Sequence, residues 1–545
     1  MGANECRVKP GFYKMESGGA DMPTLEWIGK SKVINHHQEV PFRVLERQYS
    51  FDKNGQTDAD NGSENMIIRG DNLEALKALL PRYEGRVKCI YIDPPYNTGN
   101  EGWCYNDNVN DPKIQKWLGE VVGKEGEDLT RHDKWLCMMY PRLMLLQKLL
   151  AEDGAIFISI DDNEQANLKL ICDEIFGSHC FVCDLIWRSA DSSNNDAKQF
   201  SVDYNHTLVY SKNPGWQPEK FARKSENNQH YKNPDNDPRG AWFSGNLSSP
   251  NPRDNLRYDV ISPNGTVIHP PKNGWRWSRE RMDEMIEEKV VMFSDDQTRI
   301  IKKTFLRDQA GIVPSNIWWD VEDTGHNRNA KYELLKIFSE LHSSEVFKTP
   351  KPTKFIDKIM QLFSGDDILI LDSFAGSGTT AHTILNWNKE HEENRHFILV
   401  EMEDYANTTT AERVKRVIQG YSDVPGTDGN FSFYDLGEPL LIGDCLNEAV
   451  SVDKIREYIW FMETKALYAP AVGDNPYYLG KHNNTGYYFY YEPQSVTVLD
   501  YAFLSTILEK ADGTVIYADR CSISAEKLSQ MGIVFRKIPR DISRL

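Results

Sequence analysis

Two segments of this chain join a strand pattern directly to a rigid turn, and they constrain its fold more than any other feature. Residues 86–92, RVKCIYI, read as a buried strand that runs straight into DPPYNTG. Residues 366–387, DDILILDSFAGSGTTAHTILNW, give a strand, a glycine turn and a helix in succession. Strand and helix patterns alternate around both segments, which is typical of a parallel, doubly wound sheet. We therefore predict one α/β sheet that contains both turns.

The same patterns predict how the sheet is distributed along the chain. Its two halves are expected at 66–212 and 331–420, where strand and helix periodicity is clear. An insertion at 213–330 separates the halves, and residues 1–65 read as an N-terminal extension that ends in a polar linker. Residues 421–545 read as a separate C-terminal α+β domain, rich in Tyr and Phe, without a catalytic signature.

Composition limits the class of protein. The 545 residues are 40% hydrophobic and 26% charged, which is enough apolar material for several cores. No run of eighteen uncharged apolar residues and no signal-peptide pattern is found, so we expect a soluble, intracellular protein without membrane contact. Nine scattered cysteines fit a reducing compartment. Cys180 and Cys183 form a CxxC without a second pair, and we expect no metal site.

Positive charge is segregated in an otherwise acidic chain. The net charge is −18, which argues against bulk attraction to DNA. Residues 212–282, however, carry twelve Lys or Arg against seven Asp or Glu, together with four Trp. The stretch suits a loop-rich surface with stacking side chains that contacts nucleic acid. A solvated irregular insertion explains the composition equally well.

The glycine turn has the features of a nucleotide-type ligand site. The strand ends at Asp372, and Gly376 and Gly378 open a helix whose free N–H groups can approach a ligand closely. No Gly-Lys-Ser/Thr follows, and Ala381 stands where a dinucleotide site has its third glycine. Glu401 ends the next strand, where a ribose hydroxyl pair would lie. The turn indicates a nucleoside cofactor other than NAD, the alternative being a tight turn with a surface acid.

The proline turn has the features of a site for an amino group. Asp93, Pro94, Pro95 and Tyr96 follow a buried strand and so lie at the carboxyl edge of the sheet, where ligands bind. The prolines fix the backbone and present acceptors, and the Asp93 carboxylate and Pro94 carbonyl could hold both N–H bonds of an amino group. A base rotated out of a duplex could stack on Tyr96. The alternative is an ordinary turn with a buried Tyr.

At these residues the chain resembles a known family, the amino-methyltransferases of DNA. DPPY matches the catalytic motif of that family and FAGSG matches its cofactor loop. The catalytic motif precedes the loop with an insertion between them, which resembles the permuted β group. The segments WIGK (27–30), CIYIDPPYNTGN, DKWLCMMYPRL and ISIDDNE look like the modification subunits of type III restriction systems.

The resemblance implies a fold, a cofactor and a set of residues. The fold would be a permuted, seven-stranded, Rossmann-like sheet that binds S-adenosylmethionine, with an inserted target-recognition domain at 213–330. FKTPKPTKFI (347–356) looks like a further cofactor motif, with Lys351 and Pro352 near the methionine moiety, and GDNLEAL implies Asp71 at the adenine. The cofactor residues expected from the glycine turn are Asp372, Phe374, Ala375, Gly376, Gly378, Thr379 and Glu401.

The resemblance also implies partners and a location. Double-stranded DNA would be the substrate, a restriction subunit and a second copy of the chain are candidate partners, and the location would be prokaryotic cytoplasm, at the nucleoid through DNA. The expected DNA contacts in the insertion are Arg223, Lys224, Arg253, Arg257, Arg276 and Arg279. Whether each one reads a base or anchors a phosphate is left open.

The implied reaction is direct transfer of a methyl group to N6 of adenine, without a covalent enzyme intermediate or a metal. Cytosine N4 is the nearest rival, because the same acceptors would serve it, although DPPY favours adenine in this family. Methylation of a protein glutamine is disfavoured by Asp93 and the basic insertion. A catalytically silent DNA-binding subunit of the same fold is the alternative from another class.

Overall fold

The chain forms two compact units. The computed structural model describes residues 24–98, 112–122, 130–443, 445–470 and 475–540. Within these ranges the smaller unit comprises residues 217–315 and 361–364, and the larger unit comprises the rest. Residues 217–315 of the smaller unit lie within the insertion predicted at 213–330, whereas residues 361–364 lie outside it.

The larger unit begins with seven strands and six helices. The strands are β1 (Arg43–Asp52), β2 (Gly55–Thr57), β3 (Met66–Arg69), β4 (Val87–Ile92), β5 (Leu150–Ile160), β6 (Phe181–Arg188) and β7 (Tyr204–Ser211). The helices are α1 (Lys30–Val33), α2 (His36–Glu39), α3 (Asn72–Tyr83), α4 (Pro112–Val121), α5 (Arg131–Leu149) and α6 (Gln165–Phe176). Helix α5 starts at a capping box, in which Thr130 and Asp133 satisfy each other's backbone N–H groups.

The smaller unit has its own core. Its elements are β8 (Trp242–Gly245), β9 (Val260–Ile261), β10 (Val267–Ile268), α7 (Arg279–Glu287), β11 (Val291–Phe293) and β12 (Ile300–Phe305). Strands β11, β12 and β8 form one antiparallel sheet, and β9 and β10 form a hairpin. Trp242 and Trp275 are buried, so they are core residues and not the stacking surface that composition suggested. Their burial follows from apolar neighbours such as Met282 and Met285 around Trp275.

The larger unit resumes after the smaller one. Its elements are β13 (Ile317–Trp318), α8 (Val321–Thr324), α9 (Asn327–Ile337), α10 (Thr353–Met360), β14 (Leu369–Asp372), α11 (Thr379–His391), β15 (His396–Glu401), α12 (Glu412–Gln419), β16 (Gly420–Tyr421), β17 (Val424–Pro425) and β18 (Phe431–Pro439). Helix α11 follows β14 directly, as the strand, glycine turn and helix pattern predicted.

A sheet of eleven strands dominates the larger unit, in the order β13-β6-β7-β5-β4-β14-β15-β3-β18-β1-β2. The run from β5 to β18 is parallel, whereas β7 is antiparallel to both of its neighbours and β1 is antiparallel to β18. The predicted α/β class is confirmed. The sheet also includes β1, β2 and β18, which lie in segments interpreted as an extension and as a separate domain.

These additional strands were missed for a physical reason. Strand β1 (RVLERQYSFD) carries charged residues, and its main partner is β18, nearly 400 residues away, with which it pairs from Arg43 to Phe51. Such a strand has polar side chains on its solvent-facing side and no continuous apolar run. Local periodicity therefore did not mark it as part of the sheet.

The C-terminal part of the larger unit forms a second, smaller sheet. Its elements are β19 (Leu441–Ile442), β20 (Cys445–Leu446), α13 (Val452–Thr464), β21 (Tyr478–His482), β22 (Thr485–Phe489), β23 (Val498–Leu499), α14 (Tyr501–Leu504), β24 (Gly513–Ala518), β25 (Arg520–Cys521), α15 (Ala525–Gln530) and β26 (Ile533–Lys537). Strands β21, β22, β24 and β26 form a four-stranded sheet with an apolar cluster on each face. None of the described helices is long and apolar enough to span a membrane.

Candidate active site

The proline turn and the glycine turn leave the sheet from neighbouring strands. Strand β14 pairs in parallel with β4, with Ile370 opposite Cys89 and Leu371 opposite Ile90. Asp93 follows β4 and Asp372 ends β14, so both carboxylates lie at the same edge of the sheet. Two segments that are far apart in the sequence therefore meet at one site, as the doubly wound pattern predicted.

Two further acidic residues form a row with Asp93 and Asp372 along this edge of the sheet. Strand β15 pairs with β14 and strand β3 pairs with β15, both in parallel. Glu401 ends β15, and Asp71 follows β3 as the N-cap of α3. Four consecutive strand ends thus carry Asp93, Asp372, Glu401 and Asp71 in that order.

Asp93 presents one oxygen without a partner. Its Oδ2 accepts a hydrogen bond of 2.5 Å from Nζ of Lys351. Its Oδ1 is buried and has no hydrogen-bond partner in the described part of the chain. Because a buried acceptor without a donor costs on the order of 1–3 kcal/mol, this oxygen suits a ligand that brings an N–H group.

Tyr96 completes the proline turn with an aromatic ring. Its hydroxyl accepts a hydrogen bond of 3.0 Å from Lys351, whose ammonium lies 5.1 Å from the ring centroid. Burial, with the charge of Asp93, raises the pKa of Tyr96 well above its ordinary value. The phenol therefore stays protonated and neutral at physiological pH.

Three residues that the sequence did not single out hold the proline turn. Trp135 Nε1, on α5, donates to the Pro95 carbonyl at 2.6 Å. Asn97 adopts a left-handed conformation with φ of 59° and donates to the buried carboxylate of Glu164. The Asn97 Oδ1 atom is buried and has no partner among the described residues. The sequence could have pointed to Trp135 and Glu164, because they lie in DKWLCMMYPRL and ISIDDNE, two of the segments that carry the family resemblance.

The glycine turn needs glycine at two positions. Gly376 has φ of 52°, and a Cβ atom there would lie 3.1 Å from the Phe347 ring. Gly378 has φ of 79°, and a Cβ atom there would lie 3.0 Å from the Thr410 carbonyl oxygen. Both conformations are disfavoured for residues with a side chain, so the turn keeps this shape only with glycine at the two positions.

The acids beneath the glycine turn bind its backbone. Asp372 accepts hydrogen bonds from the Phe374 amide at 3.1 Å and the Thr380 hydroxyl at 2.6 Å. Glu401 accepts from the amides of Gly376 at 2.8 Å and Glu403 at 3.0 Å. Burial raises the pKa of Asp372 to about 7 and that of Glu401 to about 8. The expected contact of Glu401 with a ribose stays a prediction, since its carboxylate holds the loop here.

A buried arginine connects this loop to the Lys351 segment. Arg413 is fully buried and donates to the hydroxyls of Ser377 at 3.0 Å and Thr379 at 2.8 Å. The Thr379 hydroxyl in turn donates to the Lys351 carbonyl at 3.1 Å. Ala375 and Pro352 are buried in the same region. Arg413 was not predicted, because an arginine in a helical pattern gives no sign that it is buried.

Asp71 lies at the far end of the row. Its carboxylate caps α3 through the Leu73 amide at 2.7 Å and lies 3.3 Å from the buried guanidinium of Arg142. Its neighbour Asn72 donates to the Ser373 carbonyl at 2.9 Å, which ties this turn to the glycine turn. The Asp71 side chain remains 27% exposed, so it is accessible to a ligand.

The six basic residues expected to contact DNA differ in how their side chains are held. Arg223 donates to Asn228 and lies over Tyr231, while Arg279 pairs with Asp283. Lys224 is exposed, and Arg257 pairs with Asp254. The side chains of Arg253 and Arg276 are exposed, and no ion pair or side-chain hydrogen bond holds either within the described residues.

Comparison with known proteins identifies the family. The family model described as DNA methylase matches residues 87–412, which include both turns. The chain belongs to this family. Membership confirms the resemblance and the predicted enzyme class, an S-adenosylmethionine-dependent DNA methyltransferase. Within the described residues of the methylase, no cluster of three His, Cys, Asp or Glu side chains could hold a metal ion.

Three curated relatives of the methylase are modification subunits. The Mod subunit of the type III restriction-modification enzyme EcoP15I from Escherichia coli is 31% identical over 453 residues, covering 74% of this chain and 67% of the relative. The StyLTI Mod subunit from Salmonella typhimurium is 34% identical, covering 76% and 66%. The EcoPI Mod subunit from Escherichia phage P1 is 30% identical, covering 71% and 64%. The chain thus spans about two thirds of the length of these relatives.

Proposed function

We propose that this methylase transfers the methyl group of S-adenosylmethionine to N6 of an adenine rotated out of duplex DNA. The observation that carries the proposal is the buried, unpartnered Oδ1 of Asp93 at the strand end beside the glycine turn. The adenine amino nitrogen is a poor nucleophile, because its lone pair is delocalised into the ring. Two acceptors that hold its N–H bonds draw it toward tetrahedral geometry and free the lone pair.

In this proposal Asp93 and Pro94 act as those acceptors. Asp93 Oδ1 accepts one amino hydrogen and the Pro94 carbonyl accepts the other, while Tyr96 stacks on the base. When the nitrogen gains the methyl group it must lose a proton, and Asp93 Oδ1 lies where it can receive that proton. Pro95 keeps the turn rigid, since its carbonyl is held by Trp135. Alignment of the reacting atoms contributes several kcal/mol, on the order found for well-oriented reactions.

The residues of the glycine turn fit S-adenosylmethionine. The Ser373 hydroxyl, in the glycine turn, is buried without a partner in the described ranges, so it suits a ligand that brings a polar group. The cofactor would supply an electrophilic methyl group on a sulfonium. The residues proposed to hold it are Asp71, Lys351, Pro352, Asp372, Phe374, Ala375, Gly376, Gly378, Thr379 and Glu401. The seven strands from β6 to β3 would be the permuted cofactor-binding sheet.

The wider setting is part of the proposal. The named relatives are Mod subunits of type III restriction-modification enzymes, which supports a modification role with double-stranded DNA as substrate and a restriction subunit as partner. The insertion at 213–330 would recognise the target through Arg223, Lys224, Arg253, Arg257, Arg276 and Arg279. Homodimerisation and a place in the prokaryotic cytoplasm, at the nucleoid through DNA, belong to the same proposal.

The product decides between adenine and its rivals. DNA is incubated with the protein and methyl-labelled S-adenosylmethionine and then digested to nucleosides. Label in N6-methyladenine is expected, because residues 93–96 read DPPY, which favours adenine over cytosine in this family. Label in N4-methylcytosine would overturn the choice of base. DNA binding without incorporated label would indicate a silent DNA-binding subunit and overturn the enzymatic proposal.

A further inference from the structure

The side chain of Lys351 lies with the proline turn and not with the glycine turn. The sequence led us to expect this lysine at the methionine moiety of the cofactor. Its ammonium is instead bound to Asp93 Oδ2 at 2.5 Å and to the Tyr96 hydroxyl at 3.0 Å. The residue is 8% exposed, so these contacts are shielded from solvent. The contact with the glycine turn is made by the backbone, through the Lys351 carbonyl and Thr379.

This arrangement makes the two oxygens of Asp93 unequal. Lys351 occupies Oδ2, so Oδ1 is the oxygen left to accept a hydrogen from the substrate. The position of the ammonium thus decides which oxygen of Asp93 is available to the substrate. The other titratable groups facing this pair are Tyr91, Tyr96 and Asp372, and Asp161 faces Tyr96.

We propose that Lys351 is a positioning residue for methyl transfer, which fixes Asp93 and Tyr96 so that Oδ1 of Asp93 faces the target amino group. This inference rests on the proposed function and refines it. It assigns the Lys351 side chain to the reaction, so that only the Lys351 backbone, which contacts Thr379, belongs with the cofactor residues of the glycine turn. Lys351 itself neither touches the reacting atoms nor exchanges a proton.

The test separates a positioning role from a cofactor-binding role. Lys351→Met and Lys351→Arg are compared with Lys354→Met, at an exposed lysine three residues later in the chain that donates to the Glu322 carbonyl. Cofactor affinity is measured by calorimetry, and the single-turnover methylation rate is measured with saturating S-adenosylmethionine. Circular dichroism and a thermal melt check that each variant folds.

We expect the substitution to affect the methylation rate and the cofactor affinity differently. Lys351→Met should lower the methylation rate about 10- to 100-fold, as a misplaced reacting group does, with little change in cofactor affinity. Lys351→Arg should restore most of the rate, because it keeps a cation that can bind Asp93 Oδ2, and Lys354→Met should match the wild type.

Two outcomes would overturn the inference. A loss of cofactor affinity equal to the loss of rate would assign Lys351 to the cofactor, and an unchanged rate would leave it no role. If Lys351→Met does not fold, Lys351→Arg decides the question, because a rate that falls together with the cofactor affinity in that variant contradicts the inference. Failure of the proposed function is distinguishable, since the wild type would then not methylate DNA.

A separate observation concerns the β6–β7 hairpin, which extends past the catalytic edge. The end of β4, Ile92, lies level with Ile158, Leu208 and Asp184 on the three following strands. The hairpin continues four residues beyond that level, to the pair Arg188 and Tyr204. At 3.3 Å per residue it rises about 13 Å above the strand end that carries the proline turn.

The loop at the top of this hairpin, residues 189–203, holds an exposed aromatic side chain on a braced backbone. The amides of Ser189 and Ala190 donate to the Asp203 carbonyl at 3.0 and 3.2 Å, and Arg328 pairs with Asp191 at 2.6 Å. Phe200 is nevertheless 92% exposed. Phe200 is thus an exposed apolar ring on a loop that hydrogen bonds and an ion pair hold in place, at the catalytic edge of the sheet. It resembles the apolar side chains that some proteins insert between the base pairs of DNA.

From this placement we infer that Phe200 enters the base stack of the DNA and fills the gap left by the rotated target adenine. The inference also rests on the proposed function. Extrusion of a base costs a few kcal/mol on a paired duplex and less where the base is already unpaired. A residue that acts on extrusion should therefore matter only for the paired substrate.

The test compares Phe200→Ala with Leu508→Ala, whose side chain is 73% exposed in the C-terminal part. Both variants are assayed on a duplex that contains the target site with its adenine paired. They are also assayed on the same duplex with an abasic site opposite the target adenine. Phe200→Ala should lose about tenfold or more on the paired duplex, as befits a few kcal/mol of extrusion, and recover on the abasic one. Equal rates on the paired duplex, or an equal loss on both, would overturn the inference.

Discussion

At the scale of single residues, Gly376 is the position where a side chain should harm the cofactor site most. A Cβ atom at its φ of 52° would lie 3.1 Å from Phe347. We expect Gly376→Val to lose about tenfold or more in S-adenosylmethionine affinity by calorimetry, since strain at such a position costs on the order of 1–3 kcal/mol. Gly119→Ala is the control, because a Cβ there meets no atom within 4 Å. Unchanged affinity in Gly376→Val would count against the glycine turn as the cofactor site.

The two acids beneath the glycine turn predict a pH dependence of stability. Burial raises the pKa of Asp372 to about 7 and that of Glu401 to about 8, both above their values in the unfolded chain. Between about pH 4 and pH 8 the folded protein therefore holds protons that the unfolded chain releases, and its stability falls as pH rises through this window. The free energy of urea unfolding of the cofactor-free protein, measured from pH 5 to 9, should show this decline.

Glu401→Gln should flatten that decline, because the amide does not titrate. The comparison uses the slope against pH and not the absolute stability, since the amide also loses a hydrogen bond to the loop. Parallel curves for the wild type and Glu401→Gln would contradict the assignment of the raised pKa to Glu401.

At the scale of elements, helix α5 supports the proline turn through Trp135. Trp135→Phe keeps an aromatic side chain, although a smaller one, and removes the donor to the Pro95 carbonyl, which costs about 1–3 kcal/mol if that oxygen stays buried and unpaired. We expect a lower thermal melting temperature and a methylation rate that falls more than cofactor affinity does. Trp319→Phe, at a residue that is 48% exposed, is the control. A normal rate in Trp135→Phe would show that the turn keeps its shape without this helix.

Local patterns predicted the elements that position the site. Strand β4 with its proline turn, and β14 with its glycine turn and α11, each have a buried apolar run next to residues that fix the turn. The supports of the site were not predictable in this way. Glu164 and Arg413 are buried only because partners distant in the sequence satisfy their charge, and polar residues in a helical pattern usually face solvent.

At the scale of the whole molecule, DNA binding should depend on the basic residues of the smaller unit. The chain has a net charge of −18, so phosphate binding must come from local positive charge. We expect the double variant Arg253→Ala, Arg276→Ala to bind DNA more weakly. The slope of log affinity against log salt should also fall, by about 1 for each phosphate that the protein no longer neutralises.

Arg281→Ala is the control for this pair, because Arg281 is occupied by Glu284 at 2.7 Å. Fluorescence anisotropy at several salt concentrations measures both affinity and slope. An unchanged salt slope in the double variant would show that the protein binds phosphate elsewhere on its surface.

The sequence predicted how the strands around the two turns are arranged in the larger unit, but it did not predict how many strands the sheet contains. The alternating pattern was enough to place the two turns at one sheet edge, because parallel strands end on the same side. The eleven strands were not predictable, since β18 joins the sheet beside β3, β1 joins beside β18, and neither strand has a continuous apolar run. The central claim depends only on the part that local patterns predicted, namely that the two turns form one site.

The most direct measurement of that claim is the methylation rate of Asp93→Ala beside its cofactor affinity. Asp153→Ala, at an exposed carboxylate paired with Lys88, is the control. Removing Asp93 should lower transfer to DNA by at least about a hundredfold, as loss of a group aimed at the reacting centre does, and leave S-adenosylmethionine binding nearly intact. Methylation by Asp93→Ala at the wild-type rate would contradict the account.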